Sequence, residues 1–569
     1  MGRAGARVLA PSAGLFMLCC VSGCGTDVAQ TASYAGAPAP LDCSAPAAPP
    51  TLPDDPSLGG GTTVSEWTLA TGDYLVDQGP GVAVVALDAY RLFVNGHLLA
   101  TGTASLEPNF VPLTLLPGDS AIAIAVTAAG RPPALLAEVD ELERAYGTDA
   151  SWKVTTTPPA DFSQPGADET SFTTPVDRGA PDASPGCAPA GGFPLGSEAH
   201  YITATEPGTA VFRLDVHIAP VGFAAGTTGG GAVEPTVAAT TDAIVNAVKS
   251  DDPKVVVIPE GMLDVRRTGD DETETMACPT PCPDGSTIPT TYNLLTDDET
   301  CPVDMVPASR NERRIKIGSN TTLVGLARGA QLFGGSLDIK DSSNVIVRNL
   351  VLDGVNPGLI EAGDGITIDG GDGVWVDHAT FDLVSDGFID STTSSQNLTF
   401  SWIKNDGTNP QACSGRHPRS NELADTTVTI HHTLWEHVDG RAPLSTHPAS
   451  RLHLFDNVVT DDVNYAVGSG CDAQVLLEET TFDQVKYPTA KFSCSDNADL
   501  GFIAAAGHGN VYGEEVGHHQ SNGADAPEPS DTVFDVPYPY TLDPASKAGL
   551  VVPQWAGAGA RWALPLETP

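Results

Sequence analysis

Carboxylates dominate the reactive side chains of this 569-residue sequence: 72 Asp and Glu stand against 28 Lys and Arg, a formal charge of −44. Acids can do two kinds of chemistry. Several together can hold a hard cation such as Ca2+, which takes six or more oxygen ligands at about 2.3–2.6 Å. Two that flank one bond can act as an acid/base pair. A single Asp in so acidic a chain reads as a solvated charge, whereas acids packed together repel one another unless a cation joins them. Histidine offers less. His431 and His432 are adjacent, and neighbouring strand residues point to opposite faces, so the pair reads as structural rather than chelating. Cys278-Pro-Thr-Pro-Cys282 could mimic a zinc knuckle, yet no second close cysteine pair stands near it. A disulfide with Cys301 is the expectation there, although connectivity is not readable from spacing.

The elements that must position such groups begin with an export signal. Arg3 and Arg7 precede an apolar stretch holding Leu15, Phe16, Met17 and Leu18, and small residues lead to Cys24. That order reads as a secretory signal over residues 1–23. Val21-Ser-Gly-Cys24 resembles a bacterial lipobox, which implies lipidation of Cys24 and an extracytoplasmic, envelope-anchored protein; plain secretion is the alternative. Eight cysteines follow, at 43, 187, 278, 282, 301, 413, 471 and 494. An even number suits disulfides outside the cytoplasm. No 18-residue apolar run occurs after the N-terminus, which excludes a multispan helical membrane protein. The negative charge makes nucleic acid and anionic lipid surfaces poor partners.

Residues 24–60 are rich in Ala, Pro, Thr and Gly and read as a flexible linker. Residues 61–158 show short β runs, among them Val82–Leu87, Arg91–Val94 before Asn95-Gly96, and Ile122–Val126. Asn-Gly after such a run marks a hairpin. A β-sandwich is expected, and Tyr90-Arg-Leu-Phe-Val-Asn-Gly96 through Trp152 resembles galactose-binding-like jelly-roll modules. A second linker is expected over 159–192. From 193 to 569 apolar triplets recur at 345, 374, 398, 428, 452 and 475, separated by 29, 24, 30, 24 and 23 residues. A period of this length, with one strand per unit and no amphipathic helix between, indicates a solenoid. The fold expected is all-β: a right-handed parallel β-helix behind an N-terminal β-sandwich. Stacked turns of such a helix bring distant residues side by side and leave an elongated groove suited to a polymer.

Within the solenoid, Ile317-Gly-Ser-Asn-Thr-Thr-Leu-Val-Gly325, Ser343–Leu350, Val374-Trp-Val-Asp-His378, Asp386-Gly-Phe-Ile-Asp390, Arg441-Ala-Pro-Leu444 and Leu452–Asn457 occur in the order found in pectate lyases of polysaccharide lyase family one. Phe482–Pro488 and the tail from Tyr538 resemble later parts of that family. The resemblance spans about residues 235–560. It implies a lyase that cleaves polygalacturonate by calcium-assisted β-elimination, leaving 4,5-unsaturated oligogalacturonates. By that resemblance Asp364, Asp386 and Asp390 hold Ca2+, and Arg441 is the catalytic arginine that acts on the C5 proton. An arginine with a pKa above about 12 hardly ever deprotonates, so a charge-stabilising role must also be weighed.

The sequence departs from the family in several places. Ala362 and Thr446 stand where an acid and a second arginine are usual. Glu361 and Arg451 are the nearest replacements. Lys404 occupies the interval where the family has a lysine, at a different spacing. Lys404, Arg416 and Arg451 are expected to bind substrate, with Arg419 beside them. A protein of charge −44 would repel polyanionic pectate without Ca2+ and a local basic cluster. Polygalacturonase hydrolases are also β-helices, but their motifs appear here in the reverse order, with Arg314-Ile-Lys316 ahead of Asp461-Asp462 and Gly507-His-Gly509. The remaining alternative is a non-catalytic, pectin-binding β-helix. A monomer is expected.

Overall fold

A computed structural model describes residue 41 and residues 80–103, 105–142, 144–181, 187, 189, 197–268, 274–280, 291–294, 308–326, 329–359, 362–412, 414–417, 419–494 and 497–559. The signal segment 1–23, Cys24 and nearly all of the first linker lie outside these residues, as do Cys43, Cys282, Cys301, Cys413 and the side chain of Cys278. Cys471 and Cys494 form a disulfide. Among the described residues no helix is long and apolar enough to cross a membrane.

The N-terminal region consists of two antiparallel sheets. One runs in the order Asn109–Pro112, Gly81–Ala86, Ala134–Glu141, Ile202–Thr203, Val176–Asp177, and the other in the order His97–Gly102, Ala89–Val94, Gly118–Thr127, Thr209–Ile218, Lys153–Thr155. Asn95 and Gly96 make the expected tight turn, both with positive φ. Val84, Leu92, Ile124, Ala137, Trp152 and Phe212 fill the space between the sheets. The sandwich reaches past the boundary expected at 158. Thr209–Ile218 pairs with Gly118–Thr127 along its whole length. Residues 159–181 are packed against it: Phe162 is buried edge-on to Phe93, and its carbonyl accepts from Arg213. Pro and Gly there build compact turns rather than a spacer, and the pairing partner lies some eighty residues away, beyond the reach of local pattern.

Residues 236–504 wind into the parallel β-helix. All six apolar triplets lie in one ten-stranded parallel sheet, among the strands Ser343–Arg348, Asp372–Asp377, Ser395–Ser401, Thr426–His431, Arg451–Phe455 and Gln474–Glu478. Their registers stack Val345, Val374, Leu398, Val428, Leu452, Val475 and Ile503 in one fully buried column. No rung can bury such a face alone, so stacking supplies the core. After each of these strands one left-handed residue turns the chain into a second sheet: Asn349, His378, Trp402, His432, Asp456 and Glu479 all have positive φ. A third, four-stranded parallel sheet holds Arg313–Lys316, Gly335–Lys340, Ile366–Asp369 and Ile389–Thr393. Parallel strands joined in this way take the right-handed crossover.

His432 sits at such a turn, so strict alternation fails and its Nδ1 comes within 3.0 Å of His431 Nδ1. The pair is nevertheless structural. His432 stacks between Trp402 and the rest of an aromatic column, and burial depresses its pKa to about 3.

The sandwich is docked on the outer face of the ten-stranded sheet. Ile346 and Trp375 of the β-helix belong to the sandwich's apolar core. Beside them the fully buried Arg348 bonds Glu141 of the sandwich at 2.7 Å and Asp377 of the β-helix at 2.6 Å. Charged groups so enclosed persist only when paired and hydrogen-bonded.

Candidate functional site

The third sheet and the loops leading into it carry the acids. Asp364 immediately precedes Ile366–Asp369, Asp386 precedes Ile389–Thr393, and Asp390 lies within the latter. The register sets Thr367 against Asp390 on neighbouring rungs. Stacking therefore does what the sequence required of it: one carboxylate oxygen from each of Asp364, Asp386 and Asp390 lies within 4.8 Å of the others. Backbone and hydroxyl donors hold them there. Gly387 N–H donates to Asp364 at 3.2 Å, Thr367 Oγ1 donates to Asp364 at 2.5 Å, and Glu422 N–H donates to Asp390 at 2.8 Å. Gly387 must be glycine, since a Cβ there would fall 1.9 Å from Asp390 Oδ1.

The electrostatics are those of acids short of positive charge. Burial pushes Asp364 up to about 6, against the Thr367 hydrogen bond and with the charge of Asp386 adding to it. Burial, then the charge of Asp364, raises Asp390 well above the carboxylate range. Three acids that crowd until two of them hold protons fit a divalent cation, which would release those protons and offset the repulsion. Ala362 is fully buried, and its backbone bonds Ser385 and Asn356, so that position contributes no ligand side chain. Glu361 lies outside the described residues.

Arg441 stands at the end of the same row. Asn421 N–H donates to Arg441 O, and Leu423 pairs with Ser391 below it. This places Glu422 on the rung above Asp390. The Arg441 guanidinium donates to Glu422 Oε2 at 2.7 Å, with Arg441 24% exposed. Its backbone is left-handed, φ +62°. Glu422 thus touches the acid trio through its backbone and Arg441 through its side chain. The sequence reading missed it. It sits in a loop without periodicity, and only the rung register reveals it.

The expected substrate-binding cations separate. Arg419 comes near the trio, its Nη1 4.0 Å from Asp386. Buried His417 supports that loop: it stacks on Phe388, and its Nε2 lies 3.0 Å from Arg419 O. Arg416 grips Asp461 with two contacts of 2.8 Å. Lys404 lies on the second sheet, 2.8 Å from Glu436 and beside Gly557 of the C-terminal tail, and the structure does not gather it with the trio. Arg451 opens a strand of the ten-stranded sheet and bonds the carbonyls of Pro448 and Ser450. It too stands apart.

Residues 306–515, which contain this whole arrangement, match the pectate lyase family. Among curated relatives, a probable pectin lyase F of Emericella nidulans is 29% identical over 305 residues, covering 50% of this chain and 62% of its own length. A probable pectin lyase B of Aspergillus niger is 28% identical over 288 residues, covering 49% of this chain and 75% of its own length. Of solved structures, pectate lyase pelN from Paenibacillus sp. 0602 aligns with a TM-score of 0.46 at 17% identity, over 61% of this chain and 96% of that one. The β-helix of this chain belongs to the pectate/pectin lyase family. The chain spans about three-fifths of the length of the pectin lyase F proteins it matches.

Proposed function

We propose that the protein is a polysaccharide lyase that cleaves polygalacturonate by β-elimination with Ca2+ held by Asp364, Asp386 and Asp390. The observation that carries this reading is the convergence of three oxygens within 4.8 Å, one rung from a Glu422–Arg441 pair. Calcium bound there supplies positive charge that holds a uronate carboxylate and stabilises negative charge building on it. The chain's own residues do the rest. Gly387 and Thr367 fix Asp364, Glu422 N–H fixes Asp390, and Arg441 presents a permanent positive charge to the sugar being deprotonated at C5. A charge pair at about 4 Å is worth about 4 kcal/mol at an effective dielectric of about 20, roughly three orders of magnitude in rate if felt only in the transition state. Loss of the C5 proton and then of the C4 oxygen leaves the 4,5-unsaturated end. The acidic surface and the signal-like N-terminus suit work outside the cytoplasm, with Cys24 as the proposed lipid anchor.

The test is the ultraviolet absorbance of the unsaturated product on polygalacturonate, with and without Ca2+. A calcium-dependent rise is expected. Tight binding without any rise would instead favour a non-catalytic pectin-binding β-helix.

A further inference from the structure

The cations that the structure brings towards the trio do not form a free basic cluster. Each already faces a carboxylate of its own. Arg441 lies 2.7 Å from Glu422, Arg416 2.8 Å from Asp461, Arg419 4.0 Å from Asp386, and Arg314 3.3 Å from Glu312. The stretch flanking the metal-fitting acids is therefore charge-paired. Glu422 is the pivotal member. It occupies the rung between Asp390 and Arg441, and its side chain is 30% exposed, so its charge faces whatever lies over Arg441. A carboxylate arriving there gains from the guanidinium but meets Glu422 beside it. A neutral methyl ester meets no such repulsion, and its carbonyl can still accept from the donors of Arg441 that Glu422 leaves unused, since a guanidinium has five N–H groups.

We infer that Glu422 is a specificity-determining and positioning residue that makes this site prefer partially methyl-esterified galacturonan, with a free carboxylate needed at the sugar facing Asp364, Asp386 and Asp390 and a neutral ester favoured at the sugar facing Arg441. This rests on the lyase reading above and names its substrate more narrowly. Glu422 acts in two ways. Its carboxylate holds the guanidinium in place, and its charge repels a second uronate. Glu422→Gln separates them, because the amide oxygen still accepts from Arg441 while the charge is gone.

The experiment measures initial rates of unsaturated-product formation by the full chain at saturating Ca2+, on a pectin series from fully de-esterified to highly esterified. The wild type is expected to be fastest at intermediate esterification. Glu422→Gln should shift the optimum towards polygalacturonate, lowering KM there about tenfold while KM on highly esterified pectin changes less than about threefold, as expected when one repulsive charge is removed. Glu422→Ala should lose kcat as well, and Gln should restore it. A wild type fastest on the fully de-esterified chain, or a Gln variant that moves both KM values equally, overturns the inference. If no pectin yields unsaturated product, the elimination reading fails separately. The preference is then read by titration calorimetry on the same series, where tightest binding of the fully de-esterified chain overturns it.

Discussion

Arg441 and the glycine beneath the acid trio make opposite demands on a mutational test. Arg441 is partly exposed and makes one side-chain ion pair, so Arg441→Ala should leave the melting temperature nearly unchanged. Its loss should cost about 10²–10³ in kcat, the usual effect of removing one transition-state charge stabiliser. Product absorbance and thermal melting on the same sample check both, and a fully active variant removes Arg441 from the mechanism. Gly387→Ala acts on the metal instead. The new methyl would collide with Asp390, so calcium affinity measured by titration calorimetry should fall at least about tenfold. Unchanged affinity would mean that Asp390 does not hold the ion. At this scale the sequence was legible wherever a motif carried its own spacing, as in Asp386-Gly-Phe-Ile-Asp390. It was illegible where placement depended on the long loop before residue 421. That loop decides which residue reaches the rung above Asp390, and Glu422 has no local signature.

At the scale of elements, the apolar triplets were readable because each inward position must be apolar on every rung, and the column from Val345 to Ile503 shows that demand met. Which sheet a given cation joins was not readable from distance along the chain. Lys404 and Arg451 lie at strand starts on two other sheets, each with near partners of its own. The docking of the sandwich was also hidden, because Ile346, Arg348 and Trp375 read equally well as ordinary family coil residues. Arg348→Ala tests that docking. It would leave Glu141 and Asp377 buried without their cation, which commonly costs about 3–5 kcal/mol. Chemical denaturation should show a midpoint lowered accordingly. A midpoint within error of wild type would mean that the two regions are not coupled through this pair.

The whole molecule carries an excess of buried acids, and its stability should depend on pH in a direction set by them. Burial raises Glu138, Asp456 and Asp462 to about 7, while His417 and His432 are depressed to about 4 and 3, also by burial. From about pH 4 to 6.5 these groups oppose each other. The folded chain keeps protons on the acids that the unfolded chain has lost, and lacks protons on the histidines that the unfolded chain has gained. Above about pH 6.5 the unfolded histidines are neutral, so only the acids still count. The folded state then binds more protons than the unfolded state, and stability falls as pH rises. Self-repulsion of a chain of charge −44 acts in the same direction. Without added calcium, the melting temperature should therefore drop between pH 6.5 and 8. Calcium should act oppositely. It stabilises by binding the folded state, and binding requires Asp364 and Asp390 to give up protons, so the rise in melting temperature on adding calcium should be larger at pH 8 than at pH 5. Asp390→Asn should abolish the calcium-induced rise while raising the calcium-free melting temperature, because it removes one of the mutually repelling acids. A calcium-induced rise that is equal at both pH values, or that survives Asp390→Asn, would disconnect the trio from the metal.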